Sequence, residues 1–239
     1  MNALALFATL ILTAPTKPTS FEMIDARAGN KGGKIAANGD LVTLHYKGTL
    51  FDSGLEFDAS YGKAPLTFRL GQKQVIPGFE KTLLGMKVGG RRISTFGSAL
   101  GYAEKAIGEI PANSALVFDV ELLRVDKKGT KPMIEIEEMQ AGTGEGAIEG
   151  DKISLHYTGM FIDGTKFDSS RDRNQPFDIV LGKTSLIKGF TMGIMGMKQG
   201  ERRKVTIPSE LGYGEKGAGG VIPGNATLVF DIEVLSITK

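Results

Sequence analysis

A chain of 239 residues, 41% of them hydrophobic, carries enough apolar material for one large domain or two small ones, so disorder is not its default state. Its 29 basic and 27 acidic residues leave a net charge of +2, which excludes a long-range field for gathering nucleic acid. Having no cysteine, it can form neither disulfides nor thiolate zinc sites nor a cysteine nucleophile. Its only two histidines, His45 and His156, with no cysteine beside them, make a histidine-rich metal centre or two independent Ser-His-Asp triads hard to assemble, so no metal and no cofactor is expected.

The chain opens on an uncharged apolar run, Ala3 to Leu12 (ALALFATLIL), about as long as the hydrophobic region of a signal peptide and too short to span a bilayer. No Lys or Arg precedes it, and cleavage after Ala14 would leave Pro15 at the new terminus, which counts against processing. Residues 1–20 are expected to export the chain or to tether it to a membrane. The alternative is a cytoplasmic protein in which the run packs on the first domain.

From residue 21 onward the chain says nearly everything twice. DLVTLHYKGTL from Asp40 returns as DKISLHYTGMF from Asp151, VIPGFEKTLLGMKVGGRR from Val75 as LIKGFTMGIMGMKQGERR from Leu186, and ALVFDVELL from Ala115 as TLVFDIEVL from Thr227. Tyr46 and Tyr157 are separated by the same interval as Phe118 and Phe230, to within one residue. So long an interval means two whole domains in tandem rather than a solenoid, whose units run to roughly 20–50 residues. The domains are assigned to residues 21–127 and 128–239, joined through DKKGTKP, Asp126 to Pro132, a charged stretch without apolar periodicity that ends in proline.

Within each copy the strand period dominates. Ile153, Leu155 and Tyr157 alternate with Ser154, His156 and Thr158, and Leu228, Phe230, Ile232 and Val234 repeat the pattern near the C-terminus. Between them one helix is predicted, with Phe190, Ile194 and Met197 on a single face, matched by Phe79, Leu83 and Met86 in the first copy. Gly189, Gly193 and Gly196 make that helix intrinsically poor, so packing against a sheet must hold it. The expected class is α+β, each domain an antiparallel β-sheet wrapped around one short α-helix.

Several motifs point elsewhere and fail on context. GTGEGA from Gly142 has dinucleotide-binding spacing, but a strand and not a helix follows it, so it is assigned to a loop. Asn225-Ala226-Thr227 fits a glycosylation acceptor, a triplet that arises often by chance. His45 and His156 point away from the apolar face that carries the neighbouring tyrosines, and a structural hydrogen-bonding role is expected for both. Arg91, Arg92, Arg202, Arg203 and Lys204 read as a solvated strand edge rather than phosphate contacts.

The segments that carry chemistry are HYTGMFIDGTKFDSSRDRNQPF, His156 to Phe177, then GFTMGIMGM, ELGYGEKGAGGVIP and LVFDIEVL. They resemble the FKBP family of peptidyl-prolyl isomerases, whose members are also receptors for tacrolimus and rapamycin. The likeness covers essentially all of residues 132–239 and is most specific in FDSSRDR and LVFD, while residues 21–126 resemble the same family more loosely. It implies two tandem FKBP-like domains, and a second-domain pocket lined by Tyr157, Phe167, Phe177, Leu186, Ile187, Phe190, Val221, Ile222 and Phe230. Phe190 would be its floor, Asp168, Arg173 and Tyr213 its polar members, and the Ile187 N–H the holder of a substrate carbonyl. Each ring alone would be ordinary core. The set, interleaved with one Asp and one Tyr hydroxyl, exceeds what one small core needs.

In the first copy Tyr46, Phe57, Asp58, Val75, Ile76, Phe79, Tyr102, Ile110 and Phe118 occupy the matching places. ASYGKAPL there replaces SSRDRNQPF, which removes the arginine and puts Leu66 in place of Phe177, and Glu109 stands in place of Val221. Weak catalysis, or peptide binding without efficient turnover, is expected of it. The resemblance thus implies an isomerase of X-Pro bonds acting mainly through the C-terminal domain, with proline-containing polypeptides as partners and tacrolimus or rapamycin as candidate ligands. The competing reading is a proline-segment-binding chaperone or scaffold with little turnover.

Overall fold

The computed structural model describes residues 17–239, so the apolar run Ala3–Leu12 lies outside the described residues. The first copy supplies β1 (Phe21–Arg27), β2 (Leu41–Leu50), β3 (Glu56–Ala59), β4 (Leu66–Arg69), α1 (Pro77–Leu83), β5 (Arg91–Phe96) and β6 (Leu116–Asp126). The second repeats them as β7 (Glu135–Gln140), β8 (Lys152–Phe161), β9 (Lys166–Ser169), β10 (Phe177–Val180), α2 (Lys188–Ile194), β11 (Arg202–Ile207) and β12 (Leu228–Thr238). Each copy is one six-stranded antiparallel sheet, ordered β1-β5-β6-β2-β3 with β4 also on β2, and β10-β8-β12-β11-β7 with β9 also on β8. The two copies match strand for strand.

The two longest strands of each copy lie side by side at its centre, with Tyr46 opposite Val120 and Tyr157 opposite Ile232. Their alternation puts Val42 and Leu44, or Ile153 and Leu155, into the core under the helix, where Phe79, Leu83 and Met86, or Phe190, Ile194 and Met197, are buried against them. The glycines that weaken α2 as a helix are what let it lie there. A Cβ on Gly189 would stand 2.3 Å from Cγ2 of Ile207, and one on Gly193 would stand 2.9 Å from both Val205 methyls. A propensity loss of about 1 kcal/mol per glycine is offset by an approach that no larger residue permits. In the first copy Thr82 stands in place of Gly193, and its hydroxyl donates to the Gly78 carbonyl at 2.8 Å and meets Ser94 Oγ at 2.6 Å.

The arginine pairs correct the expectation of a solvated edge, because β5 and β11 are interior strands. Arg91 and Arg202 do face solvent, each forked onto a carboxylate of the next strand, Asp119 and Asp231. Arg92 and Arg203 point the other way. Arg92 is buried and donates to the Thr82 and Leu84 carbonyls, both at 2.9 Å, while Arg203 donates to those of Gly193 and Met195 at 3.1 and 3.2 Å. These guanidiniums therefore satisfy the carbonyls that each short helix leaves unpaired at its C-terminal end.

Each copy also fastens its last strand to the turn before its second strand. Asp40 accepts from the Ala37 and Lys128 amides at 3.0 and 2.9 Å and from Lys127 Nζ at 2.6 Å. Asp151 accepts from the Ile148 amide at 2.9 Å and Lys239 Nζ at 3.2 Å. Burial opposes the charge on Asp40, but Lys127 and the two amides outweigh it and hold the carboxyl below its ordinary range. For Asp151 the Ile148 amide, with help from Lys239, does the same against burial. A carboxyl held low in the folded state stabilises the fold above the ordinary carboxylate range, and that contribution disappears as pH falls through the folded value. The urea midpoint is therefore expected to hold from neutral pH down to about 5 and to drop below about 4. Asp40→Asn and Asp151→Asn should lower it at neutral pH and flatten that drop, and a double variant with an unchanged acid limb would refute the assignment.

The joining stretch remains exposed, as its composition implies, though its first two lysines are held by Asp40. The copies touch through side chains: His45 Nε2 lies 2.9 Å from Asp163 Oδ2, Arg124 reaches Glu135 at 3.1 Å, and Ala64 packs on the second core. Among the described residues no helix is long and apolar enough to cross a membrane.

Candidate active site

The second copy holds a hollow of about 510 Å³ between sheet and helix. Tyr157 rises into it from β8, Phe167 and Asp168 from β9, Phe177 from the start of β10, Leu186 and Ile187 from the approach to α2, Phe190 from α2 itself, and Phe230 from β12. Tyr213 stands exposed on the rim between two single-turn 3-10 helices, Ser209–Leu211 and Gly214–Lys216. Phe190 and Phe230 are buried with ring centres 5.0 Å apart, and Tyr157 meets Phe190 edge-on at 5.8 Å and Phe177 at 5.5 Å. Phe167 meets Phe230 at 5.8 Å and 85°. The rings thus lock one another edge to face and leave a concave apolar wall instead of filling the centre.

One polar cluster sits at the mouth. The Tyr157 hydroxyl donates to Asp168, and Arg173 donates both to Asp168 and, at 3.1 Å, to the Tyr157 oxygen. Burial opposes the charge on Asp168, but the tyrosine and the guanidinium outweigh it and hold the carboxyl below its usual range. Burial, with the adjacent carboxylate, pushes the Tyr157 hydroxyl up, so it stays protonated and remains a donor. The Ile187 amide, at the residue before α2, finds no acceptor among the described residues and is free for a ligand carbonyl.

Two expected lining residues are elsewhere. Ile222 is buried in the second core, and Val221 is turned outward, lining a cleft with residues of the first copy. The loop that carries them folds back on itself, Ala218 bridging to Ile222, through three glycines with positive φ, Gly217, Gly219 and Gly220. In their stead Ser185, Lys188, Glu210 and Gly212 complete the wall. Ser185, Lys188 and Gly212 are chain neighbours of residues named from the sequence, and Glu210 lies three positions before Tyr213.

The first copy has a hollow of about 430 Å³ lined by Tyr46, Phe57, Asp58, Leu66, Val75, Ile76, Phe79, Tyr102 and Phe118, with Lys73 and Gln74 at its rim. Ile110 is not among these residues; it is buried in the core and bridged to Ile107. Tyr46 donates to Asp58 as Tyr157 does to Asp168, but no cation pairs with Asp58 among the described residues. Burial and that carboxylate together push the Tyr46 hydroxyl well above its ordinary value. Glu109 is exposed to solvent.

His45 and His156 each place Nδ1 on a serine hydroxyl, Ser60 at 2.9 Å and Ser170 at 3.0 Å, and neither lines a hollow. No group of three or more His, Cys, Asp or Glu able to hold a metal occurs among the described residues.

Two stretches, residues 32–123 and 144–235, each match the family profile described as FKBP-type peptidyl-prolyl cis-trans isomerase. The chain belongs to that family. Bovine FKBP10, named a peptidyl-prolyl cis-trans isomerase, is 40% identical over 204 residues, covering 84% of this chain and 35% of the relative. The chain therefore spans about a third of the length of such relatives. An FK506-binding protein of Neisseria meningitidis is 56% identical over 102 residues, 43% of this chain and 94% of that protein. Among solved structures, the three FKBP domains of wheat FKBP73 align over 92% of this chain and 95% of theirs, with 26% identity and a TM-score of 0.42. Both FKBP domains here have the family's sheet and helix, and they differ at the mouths of their hollows.

Proposed function

We propose that the chain accelerates cis/trans rotation of X-Pro peptide bonds, mainly through residues 128–239, with residues 21–127 as a weaker or purely binding FKBP domain. One observation carries this reading: a hollow of interlocked rings with the Tyr157–Asp168–Arg173 cluster at its mouth. Rotation breaks no bond. It opposes a resonance barrier of roughly 18–20 kcal/mol, and the two end states of an X-Pro bond are nearly balanced, so only the rate needs help.

Resonance makes the planar amide the more dipolar state, and twisting removes that separation of charge. Transfer from water into an apolar wall therefore favours the twisted amide. Tyr157, Phe167, Phe177, Phe190 and Phe230 supply the medium and accept the proline ring. The Ile187 N–H fixes one carbonyl of the bound peptide, and the Tyr213 hydroxyl on the rim is positioned to hold a neighbouring one. Asp168, kept ionised by Tyr157 and Arg173, supplies a fixed field where the amide turns, with no reorganisation needed at the moment of rotation.

The family relative named for FK506 supports a prediction for this chain. FK506 (tacrolimus), or rapamycin, is expected to occupy the second hollow and suppress turnover of a Leu-Pro peptide followed by exchange NMR. No acceleration over the uncatalysed rate would overturn the catalytic reading, and turnover undiminished by saturating FK506 would remove the hollow from it. Export or membrane tethering through residues 1–20 completes the proposal, supported by the apolar Ala3–Leu12 run. The intact mass of the protein isolated from its cells tests that part.

A further inference from the structure

The first hollow does not end at the first domain. Tyr46, Asp58 and Leu66, which line it, also line a larger cleft of about 740 Å³ whose opposite wall is the second domain's loop from Lys216 to Gly224. The two walls are held together. His45 Nε2 meets Asp163 Oδ2 at 2.9 Å with both side chains nearly buried, and Ala64, beside the cleft, packs on the second core. Val221, a large apolar residue 58% exposed, lines this cleft, which gives a physical reason for its outward turn.

We propose that this cleft is a polypeptide-binding site shared by the two domains, taking an extended segment that carries an acidic residue and runs on into the first hollow. The inference rests on the reading of that hollow as a proline-peptide site. The charge at the walls selects the ligand: Lys63 from the first domain and Lys216 from the second both line the cleft, and neither ammonium has an ion partner among the described residues. Against the one carboxylate of the wall, Asp58, these two lysines leave the lining net positive, which favours an acidic ligand. The loop wall carries four glycines, Gly217, Gly219, Gly220 and Gly224, so few side chains stand between a ligand and that wall. On this account the second domain helps decide what the first accepts, and loop 216–224 is a specificity element for its neighbour as well.

The test uses the full chain and two labelled peptides, one with a glutamate on each side of a Leu-Pro pair and one with glutamines in their place. With the acidic peptide, the amides of Lys63 and Ala64 and those of Ala218 and Gly219 are expected to shift together along one saturation curve. Lys216→Glu and Lys63→Glu should each weaken acidic-peptide binding by about threefold to fivefold and move the glutamine peptide by no more than about twofold. Asp163→Ala, which removes the His45 contact and touches neither hollow, should weaken the acidic peptide as well. Shifts confined to one domain, or Lys216→Glu acting equally on both peptides, would overturn the proposal. Exchange-NMR turnover is read in the same samples, so loss of the catalytic reading registers there, separately from the shift map.

Discussion

Replacing Asp168 by valine in the full chain is expected to lower kcat/KM toward X-Pro peptides by about tenfold, equivalent to about 1.4 kcal/mol of lost transition-state stabilisation. The substitution removes the acceptor that Tyr157 and Arg173 share and leaves an apolar side chain at a mouth only partly shielded from water. Little stability should go with it. The matched change Asp58→Val in the first domain is expected to leave turnover within about twofold, because Asp58 lacks the guanidinium that keeps its counterpart in a fixed geometry. Protease-coupled or exchange-NMR rates on one peptide, with unfolding midpoints alongside, separate the two effects. Equal losses from both variants would mean that the domains share the work, and an unchanged Asp168→Val enzyme would remove the cluster from catalysis.

The second large effect is on stability. Phe190→Ala is expected to cost the second domain about 3–5 kcal/mol, the range for truncating a buried ring. The lower end is favoured because one side of Phe190 already faces the hollow and loses no packing. Phe79→Ala should destabilise the first domain comparably, for Phe79 is as deeply buried and contacts Tyr46 and Phe118 with ring centres 5.2 and 4.7 Å away. Urea titrations followed by amide NMR, which resolves each domain, would measure the two costs separately. The variants should part on function, with turnover collapsing for Phe190→Ala and largely surviving for Phe79→Ala. A Phe190→Ala chain with normal turnover would mean that the hollow has no need of its floor.

Much of this was legible in the sequence because repetition exposed it. The repeat, the period of two in the central strands and the helical spacing of Phe190 and Ile194 fix the architecture through local pattern. Met197 and Met86, expected on the helices, instead lie three residues past the ends of α2 and α1 and are buried in the same cores from the following turns. Residues whose role depends on direction rather than spacing were harder to read. Arg92 and Arg203 look like surface charges until β5 and β11 are known to be interior strands, since strand order is set by contacts remote in sequence. Val221 and Ile222 sit in an apolar pair beside a glycine run, and the positive φ angles that turn them away from the second hollow leave no periodic trace. The partner of His45 was invisible for the same reason, because Asp163 belongs to the other repeat.

The Asp40 and Asp151 clasps, finally, make each repeat self-sealing: its closing strand is buckled to its own entrance turn by a lysine from its own half. A unit whose own ends are fastened to each other leans less on its neighbour to stand, so the two halves can carry different chemistry at their mouths. Duplication of such a unit yields a spare whose outer surfaces are available for new work, and the side facing its twin is the first place where that work can accumulate.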